Sequence, residues 1–187
     1  MGKHRRDHLT RRRSRRLDSL VTMTELLQSA TESLRAAGWT CEQPLPTEDA
    51  LPSALRTAPE SVIRWVSSFS LLSNSDDTVW FLSRDDFTAS TDSAFAWNEF
   101  EQLGLEAAAT DDEAVAVSHF WKRHLPILLS VRGGYEYLAV RDDGAVVHGT
   151  EPEFEEADVV CTQFEDLLRY IVTRPAARND VVERLLF

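Results

Sequence analysis

The stretch that decides the fold is Phe120–Ile171, FWKRHLPILLSVRGGYEYLAVRDDGAVVHGTEPEFEEADVVCTQFEDLLRYI. Ile127–Val131 and Tyr135–Val140 are rich in β-branched and aromatic residues, which suit a pleated, half-buried surface. Between them Arg132-Gly133-Gly134 supplies the positive backbone angles of a tight hairpin. Asp142-Asp143-Gly144 turns the chain again into Ala145–His148, completing a three-stranded meander. Val159-Val160-Cys161 reads as a short further strand, with Cys161 buried on it. Phe164, Leu167, Leu168 and Ile171 then share one helical face, and Thr162-Gln163-Phe164-Glu165 has the spacing of a capping box.

Upstream of this stretch the same signals recur. Thr22-Met23-Thr24-Glu25 has capping-box spacing before Met23, Leu26, Leu27, Ala30 and Leu34, and Gly38 is a stop. Trp39 and Leu45 are expected to fold back on the core. The prolines at 44, 46 and 52 make Cys41–Ala54 a loop or extended connector. Thr57-Ala58-Pro59-Glu60 is a further capping box, opening a helix that carries Val62, Trp65, Val66 and Phe69 to about Leu72. Thr78–Leu82 reads as a strand and Asp85-Asp86-Phe87 as a turn. Ser93–Leu103 reads as a helix with Phe95, Phe100 and Leu103 inward, stopped by Gly104. Asp111 or Asp112 caps a helix through Val117, Phe120 and Trp121. Pro175–Phe187 ends in a short helix that buries Val181, Val182, Leu185 and Leu186.

The 187 residues, 43% of them hydrophobic, suffice for one domain with a real core. We expect a basic, disordered leader over residues 1–21 and an α+β domain over 22–187. Charge separates the two. Met1–Leu20 holds eight Lys/Arg against two Asp, a net +6, so the remaining residues carry −17 of the formal −11. Ser14-Arg15-Arg16-Leu17 has the paired arginines of an export signal without the apolar run that must follow. A nucleic-acid or membrane-surface arm and a transit segment are the competing readings of the leader. Met23 is an alternative start. An acidic body argues against nucleic acid as the partner and favours a basic protein, or serves solubility alone. No apolar run reaches membrane-spanning length. Cys41 and Cys161 lack companions at metal spacing and read as reduced thiols.

In their order these parts resemble the SUKH superfamily, the domain of Smi/Knr-like fungal cell-wall assembly regulators and of many bacterial toxin-immunity proteins. The resemblance rests on Leu51-Pro52-Ser53-Ala54-Leu55 and the helix Pro59–Leu72. Further along it rests on Leu125-Pro126-Ile127, Tyr135, Asp143-Gly144, Val146-Val147 and Phe164-Glu165, and it covers Met23–Val172. Two features depart from the family: Leu72-Ser73-Asn74-Ser75 lacks the usual glycine-rich loop, and the leader has no counterpart. The resemblance implies an α+β domain with a mixed, mostly antiparallel central sheet, a C-terminal strand meander and four to six helices. It implies a cytoplasmic, non-catalytic protein-binding domain, most often an immunity protein that silences a toxin. A regulatory scaffold with no toxin partner is the alternative, and a small enzyme the third.

Catalysis needs convergent groups, and the sequence offers none. His4 and His8 lie in the leader. His119 and His124 stand roughly 140° apart around a helix and do not share a metal, and His148 stands alone at a strand end. Gly-x-Ser-x-Gly, phosphate-loop and His-Glu-x-x-His patterns are absent from the sequence, and Glu153–Asp158 lacks the order of a calcium loop. No catalytic residue, metal or cofactor is therefore expected. Of the five tryptophans, Trp65 and Trp80 read as core, while Trp39, Trp97 and Trp121 read as partly exposed anchors. Asp85–Trp121 and Asp142–Asp166 each hold nine Asp/Glu and no Lys or Arg. Such runs are either solvated faces or decoys for a basic toxin domain of the nuclease type. The expected partner-binding residues are Asp76, Asp77, Asp85, Asp86, Glu151, Glu153, Glu155, Glu156 and Asp158.

Overall fold

The computed structural model describes residues 23–44, 46, 49–88 and 96–187. These form an α+β fold of six helices around one seven-stranded sheet. The strands are β1 (Thr40–Glu42), β2 (Leu71–Ser73), β3 (Val79–Phe81), β4 (His124–Ser130), β5 (Glu136–Arg141), β6 (Val146–Thr150) and β7 (Asp158–Cys161). They lie side by side in chain order, and every pairing is antiparallel, where a mixed, mostly antiparallel sheet was expected. Successive connections therefore leave from alternate ends of the sheet. The β2–β3, β4–β5 and β6–β7 connections share one end, here called the hairpin end. The β3–β4 and β5–β6 connections share the opposite end.

Side-chain alternation gives the sheet two covered faces. Phe81, Leu128 and Leu138 are in register on one face. It is packed by α2 (Glu60–Val66) and α5 (Phe164–Thr173): the Trp65 ring meets Phe81 edge-on at 5.2 Å and Phe164 at 6.4 Å. α1, residues 23–36, lies beside α2, where Arg64 donates to the Thr24 hydroxyl. Leu129 and Tyr137 are in register on the other face. It is packed by α3 (Glu99–Ala107) and α4 (Asp111–Trp121) through Phe100 and Trp121, at 5.6 and 5.0 Å from the Tyr137 ring. α6 (Asp180–Leu186) closes the chain, and the Trp39 indole donates to the Leu186 carbonyl.

The apolar stripes are buried where the spacing puts them. Leu27, Ala30 and Leu34, then Val62, Trp65, Val66 and Phe69, then Phe164, Leu167, Leu168 and Ile171 all lie in the core. Gly38 ends α1 at φ +94°, with Trp39 N–H donating back to the Leu34 carbonyl. Trp39 and Trp121 are also buried, so they are not the exposed anchors expected, whereas Trp97 is half-buried.

The helix starts differ from expectation. α2 has Pro59 at its N-cap and α5 has Gln163, and neither receives a side-chain cap bond. Thr162 instead donates to Asp166. The box that does form is Thr110 with Glu113, at the start of α4, where Asp111 or Asp112 was expected to cap. The Thr22 cap, the inward Phe95 and the folded-back Leu45 lie outside the described residues. Three further boundaries move. α2 stops at Val66, where the Ser68 hydroxyl takes the Trp65 carbonyl, and the chain from Leu71 pairs with β1 as a strand. Cys41 and Glu42 accordingly lie in β1, not in a connector. α3 runs through Gly104 to Ala107. That glycine is set by close approach, since a Cβ there would stand 2.7 Å from Glu155 Oε1 and 3.1 Å from Val117.

Gly149 on β6 is required by the same kind of contact. A Cβ there would lie 2.5 Å from the Tyr137 ring, so Gly149→Ala is expected to lose about 1–3 kcal/mol to overpacking. Thr110→Ala is expected to cost about 1 kcal/mol, while Thr57→Ala and Thr162→Ala stay within about 0.5 kcal/mol. Urea unfolding of the four variants checks both statements; a loss at Thr57 equal to that at Thr110 would contradict the capping assignment.

Candidate functional site

The nine expected binding residues divide between the two ends of the sheet. Asp76 and Asp77 lie in the β2–β3 turn at the hairpin end, with Glu151, Glu153, Glu155 and Glu156 in the β6–β7 connection and Asp158 opening β7. Asp85 and Asp86 lie in a 3₁₀ turn after β3, at the opposite end. The β2–β3 and β6–β7 connections are separated by β4 and β5, about 15–20 Å at ordinary strand spacing, which one protein partner spans.

Four of the nine accept side-chain hydrogen bonds; Asp76 does so only from its neighbour, the Ser75 hydroxyl, at 3.3 Å. Asp86 accepts from the Ser83 N–H and hydroxyl at 2.7 and 2.8 Å. Asp77 takes a positive φ of 52° and accepts from Ser73 at 2.7 Å. Asn74, whose side chain accepts from Thr78 N–H and Val79 N–H, completes this turn. Asn74 and Asp77 thus shape the loop that lacks glycine. Glu155 accepts from the Trp121 indole at 2.8 Å. Glu151, Glu153, Glu156 and Asp158 are exposed, and none of them forms an ion pair among the described residues.

The β6–β7 connection is anchored from below. Phe154 is buried and stacks on Phe100 at 4.6 Å, while the Tyr137 hydroxyl donates to the Phe154 carbonyl. Phe154 and Glu155 face inward, and Glu153 and Glu156 on either side face water. Val159, an apolar residue of edge strand β7, is half exposed beside them.

A buried polar network at the hairpin end escaped the sequence reading. Glu136, 5% exposed, takes Arg184 of α6 in a fork at 2.6 and 2.8 Å and His148 at 2.9 Å. His148 is therefore paired, not alone. Arg132 of the β4–β5 hairpin donates to the Arg184 carbonyl. Burial raises the Glu136 carboxyl, but the hydrogen bonds and charges of His148 and Arg184 outweigh it and bring the pKa down to about 2. The signal was present in the sequence: Glu136 has the strand parity of inward Leu138, and a carboxylate at an inward position requires a partner. Nothing in the sequence said that α6 supplies it.

Both thiols are half-buried, Cys161 less deeply than expected, and both are held towards the protonated form. Burial pushes Cys161 up to about 11, helped by Asp166, and raises Cys41 against the pull of Arg35. No group of three His, Cys, Asp or Glu among the described residues is arranged to hold a metal ion, and no described helix is long and apolar enough to cross a membrane.

No protein-family model matches the chain, and no curated protein and no solved structure matches it.

Replacing Glu136 by Gln breaks a buried charge network and is expected to cost about 3 kcal/mol at neutral pH. The folded-state pKa lies below the unfolded one, so the stabilisation is present above about 4.5 and lost as pH falls towards about 2. Chemical denaturation from pH 7 to pH 2.5 checks this. The wild type should lose more stability than Glu136→Gln across that window, and parallel curves would remove Glu136 from the acid response.

Proposed function

We propose that this chain is a cytoplasmic, non-catalytic binding domain of the SUKH type, an immunity protein that captures a basic toxin domain of the nuclease type. Capture runs through the β6–β7 connection, with the Asp76–Asp77 turn as a second contact on the same end of the sheet. The observation that carries this reading is the distribution of ion pairs. Arg123, Arg141, Arg169, Arg174, Arg178 and Arg184 are bound to acids elsewhere. Glu151, Glu153, Glu156 and Asp158 have no such partner among the described residues, although they repel one another within one short stretch. Unpaired acids on an anchored connection form a negative field that speeds encounter with a basic surface. Exposed Val159 adds an apolar contact at its edge.

The element order also supports the reading. Leu125-Pro126-Ile127 lies in β4, Asp143-Gly144 in the β5–β6 turn, Val146-Val147 in β6 and Phe164-Glu165 at the start of α5. They keep the chain order on which the resemblance rests, although the helix expected over Pro59–Leu72 ends at Val66.

The test is capture from the source cell on the full-length tagged chain, eluted with rising salt, against a Glu151→Lys, Glu153→Lys, Glu156→Lys, Asp158→Lys variant. All four positions are exposed, so the variant should unfold at the wild-type denaturant midpoint. The wild type is expected to hold a basic domain that salt releases and whose toxicity its co-expression suppresses. The variant should bind that domain at least about tenfold more weakly. Equal retention by both proteins would refute the acidic interface, and recovery of a non-toxic regulatory protein would favour a scaffold instead.

A further inference from the structure

A cleft of about 550 Å³ opens at the opposite end of the sheet from the acidic connection. It lies between the 53–59 segment, α3, the end of α4 and the start of β4, and its volume is in the range of small-molecule sites. Ala54, Ala58, Leu125 and Val140 give it apolar walls, and half-buried Trp97, packed on Phe87 at 5.6 Å, gives it a flat aromatic one.

His124 lines this cleft and is only 9% exposed. Its Nδ1 stands 2.8 Å from the Phe120 carbonyl, and its ring stacks on the Phe120 ring at 3.8 Å and 12°. A carbonyl only accepts, so Nδ1 carries the proton and Nε2 is left as an acceptor. Nε2 has no protein partner among the described residues. Burial lowers the imidazole pKa against the hydrogen bond to the Phe120 carbonyl, and the Arg141 and Arg123 charges act in the same direction as burial. Nε2 is not one of the buried polar atoms left without a partner, so it faces the solvent of the cleft, where a ligand hydroxyl can take the place of water.

The charge of the lining points to the rest of the ligand. Lys122, Arg123 and Arg141 stand against Glu101 and Asp142, and two of these three cations are already paired. Arg123 is forked by Asp142, and Arg141 by Asp143 outside the cleft. Lys122 forms no ion pair among the described residues. It acts on Glu101 only through its field, which leaves an ammonium open to a carboxylate.

We propose that this cleft binds a small planar aromatic carboxylate that carries a hydroxyl group. Lys122 takes the carboxylate, Trp97 and the apolar walls take the ring, and His124 Nε2 accepts from the hydroxyl. The site is independent of the acidic connection, and its occupancy tests nothing about the captured partner.

Titration of the full-length protein with 4-hydroxybenzoate, benzoate and phenol tests the assignment by calorimetry and tryptophan fluorescence. 4-Hydroxybenzoate is expected to bind saturably in the millimolar range or tighter. Benzoate lacks the donor and phenol lacks the anion, so each should bind at least about tenfold more weakly. Lys122 is exposed, so Lys122→Met should fold normally and lose about tenfold in affinity for 4-hydroxybenzoate. His124 is buried and is better watched than replaced. Its ¹⁵N spectrum should show the Nδ1-protonated tautomer, with the Nε2 resonance moving on saturation. Absence of saturable binding, equal affinity for the three probes, or indifference to Lys122→Met would each overturn the proposal.

Discussion

The placing of charge on the described residues follows from one topological constraint: seven strands laid down in chain order, each antiparallel to the last. Such a sheet sends its connections to alternate ends. Residues close in sequence but on either side of a strand are thereby driven apart, and residues far apart in sequence are gathered. Asp77 and Asp85 are separated by β3 and fall at opposite ends. Asp77 and Glu151 come to the same end although more than seventy positions lie between them. The acidic runs visible in the sequence are cut by this rule into an acidic hairpin end and an opposite end where Arg123, Arg141, Asp142 and Asp143 pair off.

The hairpin end is held from inside by two polar contacts that the sheet cannot supply alone. Tyr137 reaches across the glycine at 149 to donate to the Phe154 carbonyl, and Glu155 accepts from Trp121. Both tie the β6–β7 connection to the α3–α4 face of the sheet. Glu136 ties the same end to α6 on the other face through Arg184. A connection pegged on one side, on a sheet end clamped on the other, fixes the backbone from which the exposed carboxylates project.

Sequence pattern located most elements because apolar periodicity is a local property. The α5 stripe at Phe164, Leu167, Leu168 and Ile171 and the glycine turns at 133 and 144 were legible for that reason. Capping was not. Thr57 and Thr162 had the correct spacing yet cap nothing, whereas Thr110 caps with Glu113. A hydroxyl caps only where the backbone enters the helix in extended geometry at that residue. Pro59 and Gln163 took that place in the other two helices.

The sequence by itself determined the α+β class, the C-terminal meander, the apolar faces and the contrast in charge between the basic first twenty residues and the acidic remainder, because each depends on neighbours along the chain. The tertiary structure alone decided which carboxylates are interior and which face water. Asp86 and Glu155 are bound to the frame, Glu136 lies buried under Arg184, and Glu153 and Glu156 face outward. It also decided that His124 lines a cleft at the far end of the sheet. These outcomes rest on partners brought from distant positions, and composition carries no record of which distant positions will meet.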